Sequence, residues 1–236
     1  MHRRWNVGIA LGLTLAVFCS VEASAQPALV IARSLTLPAD AMCKAAKGNP
    51  ITLRELAASI EKNYRIKVTV AYEGFQAADP KIDWNTARVT LPVKPGLRLA
   101  TVLHYVLEND LTVRATIKIA GDTLIILPGA TEVVQDEVRD GPVGKRLNAT
   151  VMAVKNNAGG SMQEALSVIE KQTGIPILVS SRKFVEAKNL DFMSANVTLK
   201  KQAKVPAVTF LRDVLNQGKA SYHVKPDHIL VVPKGK

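Results

Sequence analysis

The sequence TLRELAASIEK at residues 52–62 is matched by SMQEALSVIEK at residues 161–171, 109 positions later. Each copy opens with a hydroxyl residue followed three positions later by glutamate: Thr52 with Glu55, and Ser161 with Glu164. This spacing is a capping box, in which the hydroxyl and the carboxylate each accept a hydrogen bond from the other residue's backbone N–H. We therefore predict that an α-helix begins at both places and that these four residues cap it.

The helix after each cap carries one apolar stripe. In the first copy Leu53, Leu56, Ala57 and Ile60 recur at the spacing of a single helix face. In the second copy the helix is followed by Gly174, the residue type that most often forms a left-handed C-terminal cap. Both segments are thus predicted to be amphipathic helices.

The similarity continues in the same order to the end of the chain. The matched blocks keep their internal spacing: 82–84 with 190–192, 87–91 with 195–199, 101–107 with 209–215, and 122–128 with 227–233. The offset between the copies falls from 109 to 108 at the 82–84 block and then to 105 near the C-terminus, where a shorter hairpin is expected. Because chance does not preserve both order and spacing, we interpret the two stretches as diverged copies of one unit.

The patterns predict an α+β fold class, with two tandem small modules that each have the order β-α-β-β-α-β-β. In each module two helices are expected to pack on one face of a mixed sheet, because right-handed crossovers place sequential helices on the same side. An additional strand is predicted at 149–154, before the second copy. The predicted boundaries are 1–25 (signal peptide), 26–49 (N-terminal segment), 50–128 (module 1), 129–144 (acidic linker) and 145–236 (module 2).

The N-terminus has the features of a secretory signal peptide. Arg3 and Arg4 give it a basic start, residues 7–21 are apolar, and Ala23 and Ala25 supply the small residues that precede a cleavage site. The apolar run is shorter than the roughly 20 residues that a membrane-spanning helix needs. We expect an exported protein, periplasmic or extracellular, with no membrane span in the mature chain.

Cys43 is the only cysteine that remains after this cleavage, so no disulfide can form within the mature chain. The thiol is expected to be buried or to pair with another chain. The three mature histidines show no His-x-His or His-Glu-x-x-His spacing, and no Cys-x-x-Cys is present. We therefore predict neither a metal site nor a cofactor.

The charge is distributed unevenly. Residues 145–236 carry 15 Lys and Arg against 6 Asp and Glu, whereas residues 50–128 carry 10 against 8. A basic second half is expected to attract an acidic protein, an anionic surface or nucleic acid, or simply to keep the protein soluble.

The apolar pattern of the second copy resembles a known family. Its parts are ALSVIEKQTGI at 165–175, VTL at 197–199 and FLRDVL at 210–215, followed by a closing hairpin. This pattern is similar to the short N-terminal domain shared by secretins and TonB-dependent receptors, and both copies show the likeness. The resemblance implies a compact periplasmic α/β unit that contacts other envelope proteins and has no catalytic residue.

The chain departs from this family in two respects. Arg65 takes the place of the glycine after the first helix, so the first copy is the more diverged one. No barrel sequence follows the second copy, so the resemblance implies only the docking role. We therefore expect a non-enzymatic docking protein with one or more envelope proteins as partners.

Binding of an anionic surface or nucleic acid by module 2 is the alternative function. Paired β-α-β-β-α-β units also build RNA-binding domains, which stack bases on aromatic residues of the sheet. The strands of this chain carry Val, Thr, Leu and Ile instead, and no Gly-x-x-Gly loop lies between the two predicted helices of either copy. We do not expect nucleic acid to be the natural partner.

A hydrolytic site between the modules is the third hypothesis, and His104 with Glu108 is its only candidate pair. One helical turn separates the two residues, which more commonly indicates an exposed pair on a helix surface. His223 and His228 are predicted to be surface neighbours on the last hairpin that gain charge below about pH 6.5.

Two further motifs have structural interpretations. The glycine-rich stretch 156–160 lacks the Lys-Ser/Thr of a phosphate-binding loop and is predicted to be a flexible strand-to-helix turn. The aromatic residues that recur in both copies are predicted to fill the cores, rather than to stack on a ligand: Phe75, Trp84, Phe184 and Phe192.

The signal-peptide prediction can be tested on the exported protein. We expect N-terminal sequencing and intact mass to show a mature chain that begins at Gln26, because signal peptidase reads the small residues at positions 23 and 25. A chain that retains residues 1–25 after export would contradict the prediction.

Overall fold

The computed structural model describes residues 22–129, 140–154, 158–199 and 202–235, and the chain has an α+β fold, as predicted. We call 22–129 the first half and 140–235 the second half. The first half contains, in chain order, α1 (Glu22–Leu35), α2 (Asp40–Ala46), β1 (Pro50–Thr52), α3 (Leu53–Tyr64), β2 (Lys67–Val70), α4 (Tyr72–Ala78), β3 (Arg88–Thr90), α5 (Leu99–Asn109), β4 (Ala115–Ala120) and β5 (Thr123–Pro128).

From the first capped helix onward the second half repeats the order, with one additional strand before its last helix. It contains α6 (Pro142–Ala149), β6 (Val151–Val154), β7 (Ala158–Ser161), α7 (Met162–Thr173), β8 (Ile177–Val179), α8 (Ser181–Glu186), β9 (Asn196–Leu199), β10 (Gln202–Pro206), α9 (Ala207–Gln217), β11 (Ala220–Val224) and β12 (Ile229–Pro233). The matched sequence blocks therefore form corresponding elements, such as α3 and α7, or α5 and α9.

The strands pair in the same way in both halves. The first half has a three-stranded sheet in the order β2-β5-β4, and the second half has one in the order β8-β12-β11. In each sheet the first strand is parallel to the central one and the third is antiparallel to it. Separate two-stranded ribbons join β1 to β3 and β7 to β9. The prediction of one mixed sheet per module is wrong in this respect.

The sheets are divided because a short helix that the sequence did not predict follows the first strand. α4 and α8 carry Phe75 and Phe184, which contact Trp84 and Phe192 with ring centroids 4.8 Å and 4.1 Å apart. All four rings are buried, as predicted. Each pair fills the space between the sheet and the loop that leads to the next ribbon.

Both predicted capping boxes are present. Thr52 N donates to Glu55 Oε2 at 2.7 Å, and Glu55 N donates to Thr52 Oγ1 at 3.1 Å. The bonds between Ser161 and Glu164 are 2.8 Å and 3.2 Å long. The backbone and hydroxyl of Thr52 donate to the carboxylate of Glu55, and these bonds lower the pKa of that carboxyl group.

The C-terminal caps also correspond. Arg65 has φ 55° and Gly174 has φ 62°, so both residues are left-handed. The conformation is thus the same in both halves although the glycine is absent from the first. A side chain in this conformation costs about 1–2 kcal/mol.

The described residues form two hydrophobic cores. The first core uses residues between 31 and 126 together with Leu178, and the second uses residues between 143 and 231. The segment 26–49 contributes Ile31, Met42 and Cys43 to the first core. The first core therefore extends beyond the N-terminal boundary predicted for module 1.

The strand that precedes the second copy, β6, has a small counterpart in the first half. β6 pairs with β10, and Ala207 N donates to Thr150 O at 2.8 Å. In the first half Pro38 and Arg98 form an isolated bridge, and Leu99 N donates to Leu37 O at 2.9 Å. A single bridge has no sequence periodicity, which explains why the pattern did not predict it.

Other predictions around the linker need correction. Within the predicted linker 129–144, residues 130–139 lie outside the described residues, and residues 142–144 belong to α6. The strand predicted from Ala149 begins at Val151, because α6 extends to Ala149. In the glycine-rich stretch, 156–157 are likewise not described, and 158–160 form strand β7 rather than a flexible turn, because they pair with β9.

The predicted signal-peptide cleavage site lies within helix α1, and residues 1–21 are not described. In the part of the chain that the structure describes, no helix has both the length and the apolar character needed to cross a membrane.

The packing around Gly218 generates a prediction. A Cβ atom on Gly218 would lie 2.6 Å from Met162 Cε and 2.8 Å from Phe192 Cε2, both in the second core. We expect Gly218→Ala to lower the free energy of unfolding by about 1–3 kcal/mol, measured by chemical denaturation. The matched control is Gly159→Ala, since no atom lies within 4 Å of its Cβ position. Equal stabilities of the two variants would contradict the packing described here.

Candidate functional site

The most extensive polar contact between the halves is made at the two ends of α5. At the N-terminal end, Asp227 Oδ2 accepts hydrogen bonds from the backbone N–H of Arg98 and from Thr101 Oγ1, both at 2.8 Å. Arg98 is the N-cap residue of α5, and its own side chain makes no capping bond. A carboxylate from the second half therefore satisfies a free N–H group and lies at the positive end of the helix dipole.

Near the C-terminal end of α5, Arg182 donates hydrogen bonds, whereas Asp227 accepts them at the N-terminal end. The backbone N–H of Arg182 donates to Asn109 Oδ1 at 3.2 Å, and its guanidinium group donates to the carbonyl oxygen of Leu111. The carbonyl oxygen of Thr112 lies 3.4 Å from the same nitrogen. A cation beside carbonyl groups at a helix C-terminus is favourable, so both charges match the dipole of α5.

Between these ends, the sheet of the second half presents apolar side chains to the first half. Leu178 is 2% exposed and belongs to the first core, and Leu230 packs against that core. The two residues lie side by side on the parallel strands β8 and β12. Ile177 and Ile229, their neighbours in sequence, point to the second core instead. This sheet is therefore covered on both faces.

Two ion pairs flank the contact. Lys94 Nζ lies 2.5 Å from Glu170 Oε2, and Arg114 Nη2 lies 2.6 Å from Glu186 Oε1. The side chains of Arg114 and Glu186 are 51% and 50% exposed, so this pair contributes little stability. The pair between Lys94 and Glu170 is more enclosed, with exposures of 28% and 25%.

His228 adds a buried polar group to the N-terminal end of this contact. Its Nδ1 lies 2.8 Å from Asp227 Oδ1, and the residue is 4% exposed. The prediction of a surface pair of His223 and His228 is therefore wrong. His228 lies in the turn before β12, against the first half, whereas His223 is half-buried and in register with Leu230.

The surroundings of Asp227 keep it ionised. Burial alone would raise its pKa, but the hydrogen bonds from His228, the Arg98 N–H and Thr101 lower the pKa below the ordinary value of 3.8. The pKa of Asp227 is lowered overall because three donors bind this one carboxylate and outweigh the effect of burial.

His104 and Glu108 do not form the exposed helix pair that the sequence predicts. Both residues are half-buried rather than exposed, because α5 lies between two layers of structure. Among the described residues, Nδ1 of His104 is buried and has no hydrogen-bond partner. Burial lowers the pKa of His104. A base that is oriented by a carboxylate is therefore not the arrangement found at this pair.

Cys43 and the possible metal ligands do not form a reactive site in the described part of the chain. Cys43 is buried and free, and burial, with a smaller contribution from Asp40, raises the pKa of its thiol to about 11. Such a thiol is a poor nucleophile near neutral pH. No three His, Cys, Asp or Glu side chains in the described ranges lie together as a metal ion would require.

Side chains cap several strand edges, a feature that the sequence analysis missed. Glu61 Oε1 accepts from Val68 N at 2.9 Å, and Glu170 Oε1 accepts from Ile177 N at 3.2 Å. The outer edges of the ribbons have the same protection: Asp110 accepts from Thr90 N at 2.5 Å, and Gln217 accepts from Thr198 N at 2.8 Å. These bonds block edge-to-edge pairing at β2, β8, β3 and β9.

Comparisons of the chain with protein-family models, with curated protein sequences and with solved structures gave no match. The chemistry of the contact itself indicates recognition of a helix, since a carboxylate and a guanidinium group lie at opposite ends of one helix. The sequence analysis predicted no contact role for Asp227 or Arg182. It matched Asp227 only with Asp122, as the turn residue of the closing hairpin.

The role of Asp227 can be tested with its counterpart as the control. We expect Asp227→Asn to lower the free energy of unfolding at pH 7 by about 1–3 kcal/mol, because a buried, hydrogen-bonded charge is lost. The folded-state pKa of Asp227 lies below its unfolded value, so its stabilisation is present above about pH 4 and is lost as pH falls further. The difference between the variant and the wild type is therefore expected to shrink in acid denaturation curves.

Asp122→Asn is the matched control, because Asp122 is exposed and bonds only locally, to Thr123 at 2.9 Å. This change is expected to alter stability by less than about 0.5 kcal/mol. If both variants behaved alike, Asp227 would have no special role between the halves.

Proposed function

We propose that this protein is a non-enzymatic docking protein of the cell envelope, exported to the periplasm or beyond. The observation that carries the proposal is the contact on α5, where the second half holds a helix through protein–protein recognition chemistry. The polar groups brought together there satisfy the N-terminal end of a helix and carbonyl groups just beyond its C-terminal end. Such a surface suits binding better than catalysis.

We further propose that the two halves are copies of one module related to the short N-terminal domain of secretins and TonB-dependent receptors. The support is the matched order of elements, the matched strand pairing and the two capping boxes. In that family the domain contacts other envelope proteins. The docking role follows from this likeness and from the signal peptide that the N-terminal sequence predicts.

Docking by strand addition would use the strand edges that lie opposite those capped by side chains. β4 and β11 are the outermost strands of the two three-stranded sheets, opposite the capped strands β2 and β8. An extended segment of a partner can add to such an edge through main-chain hydrogen bonds. Exposed lysines of the second half, such as Lys171 and Lys219, would favour an acidic partner.

Binding of an anionic surface or nucleic acid is the competing function. The exposed basic residues of the second half lie on separate elements, including Lys145 on α6, Lys171 on α7 and Arg212 on α9. Because these residues are dispersed over different elements, no specific observation favours this function. An affinity that falls steeply between low and moderate salt would favour it over docking.

Photocrosslinking in cells tests the docking proposal. A photoreactive amino acid at Lys118, an exposed position on β4, is expected to crosslink an envelope protein that mass spectrometry can identify. The matched control is Lys67, which is exposed on β2 beside the backbone N–H that Glu61 caps. Failure to recover an envelope protein at Lys118, or an equal yield at Lys67, would count against docking at this edge.

A further inference from the structure

We propose that the second half binds an acidic segment of a partner protein on an exposed patch of apolar side chains and lysines. We call this surface the lysine–apolar patch and define it by six residues: Val185, Leu190, Met193, Lys188, Lys219 and Lys234. The inference deepens the proposed docking function and rests on it, because it names the chemistry of the partner and a surface that receives it.

The apolar part of the patch is exposed although it lies directly on the second core. Leu190 is 71% exposed, Val185 is 57% exposed and Met193 is 36% exposed. Their chain neighbours Phe184 and Phe192 are buried, and the two rings stack with centroids 4.1 Å apart. The stack therefore joins the two segments that carry Val185 and Met193. Exposed apolar side chains that lie together are typical of an interaction site, whereas single ones are common on any surface.

Backbone contacts bring the three lysines to the same place. Asn189 Nδ2 donates to the carbonyl oxygen of Gly218 at 3.2 Å, so the chain neighbours Lys188 and Lys219 lie close together. The backbone N–H of Lys234 donates to the carbonyl oxygen of Lys219 at 2.9 Å. All three lysine side chains are exposed. Positive charge therefore borders the apolar residues and attracts carboxylates.

The first half shows that the fold does not require such a patch. Ile82 occupies the position of Leu190 in the first copy, and Asp79 occupies the position of Lys188. Ile82 is half-buried and packs against the first core, whereas Leu190 is exposed. The same framework therefore closes with this apolar side chain turned inward and with an acidic residue in place of a lysine. The patch is a difference between the copies, which favours a role in binding over a role in folding.

The charges within the patch favour a protein partner over a lipid surface. Asp191 is exposed and follows Leu190, the most exposed apolar residue of the patch. Glu186 follows Val185 and already pairs with Arg114 of the first half at 2.6 Å. A uniformly anionic lipid surface would repel the carboxylate of Asp191 wherever it met Leu190. A protein segment can instead place carboxylates opposite the lysines and an apolar side chain on Leu190.

The patch adjoins the edge strand that the docking proposal uses. Lys219 immediately precedes β11, and Lys234 immediately follows β12. Ala220 and Pro233 are paired across these two strands, so both lysines stand at the same end of the hairpin. An extended partner segment that adds to β11 would reach the patch at this end. The expected partner segment therefore alternates or combines acidic and apolar residues.

A peptide titration tests the proposal on the full mature chain. The probe is a fluorescent peptide of sequence EDLVEDLVED, and its binding is followed by fluorescence anisotropy. We expect saturable binding by the wild type and about tenfold weaker binding by Lys188→Glu/Lys219→Glu, because two attractive charges become repulsive. Leu190→Ser is also expected to weaken binding about tenfold, because the apolar contact is lost. The peptide EDSSEDSSED is expected to bind the wild type as weakly as EDLVEDLVED binds Leu190→Ser.

Matched controls separate the patch from general effects of charge and hydrophobicity. Lys67→Glu/Lys81→Glu changes the net charge equally at exposed positions of the first half. Leu29→Ser removes a leucine of α1 that is 52% exposed. Both controls are expected to bind EDLVEDLVED as the wild type does. Circular dichroism confirms that each variant is folded.

Several results would overturn the proposal. Absence of saturable binding by the wild type is one, and unchanged affinity of either patch variant is another. Patch-dependent binding to phosphatidylglycerol vesicles without peptide binding would show that the surface meets lipid instead. Self-association that Leu190→Ser abolishes, measured by sedimentation, would show that a second copy occupies the patch.

The crosslink at Lys118 distinguishes failure of this inference from failure of the proposed function. Lys118 lies on β4 in the first half, away from every residue that defines the patch. A crosslinked envelope protein at Lys118 without peptide binding would overturn the patch and leave the docking function in place. Peptide binding that depends on the patch, without a crosslink at Lys118, would support the patch and count against docking at the edge of β4.

Discussion

The arrangement of the two halves depends on one requirement, that the free backbone groups at the ends of α5 find partners. The first half supplies no side chain to cap the N-terminus of this helix, since Arg98 makes no capping bond. Asp227 provides the missing acceptor from 129 positions away, and Arg182 donates to the carbonyl oxygens of Leu111 and Thr112, just beyond the other end. The apolar side of α5 therefore packs in the first core, while polar groups of the second half bind at its two ends.

The two halves share a framework and differ in what surrounds it. The capped helix, the parallel strand pair and the pair of aromatic rings in contact recur because each core needs them to close around its own sheet. The residues that face outward have diverged: Leu178 corresponds to Thr69, and Arg182 corresponds to Glu73. These differences give one sheet a covered outer face, so the function we propose depends on the divergence of the copies rather than on their similarity.

Side chains also satisfy free backbone groups at several strand edges. A small protein with several short ribbons presents many unpaired backbone groups, which promote association with other chains. Glu61 and Glu170 each reach from a helix to the edge of the strand that follows it, at matched positions of the two halves. Such protection limits nonspecific pairing at these edges.

The sequence by itself determined the features that depend on neighbouring residues or on simple periodicity. Capping boxes connect residues three positions apart, and apolar spacing reports which side of a helix is buried, so Thr52, Ser161, the main helices and the α+β class were predictable. The short helices α4 and α8, the division of the sheets and the burial of His228 were not, because they depend on packing between distant segments. Only the tertiary structure placed Asp227 and Arg182 at the ends of α5, since a charge meets a helix end across 70 or more residues only after both halves have folded.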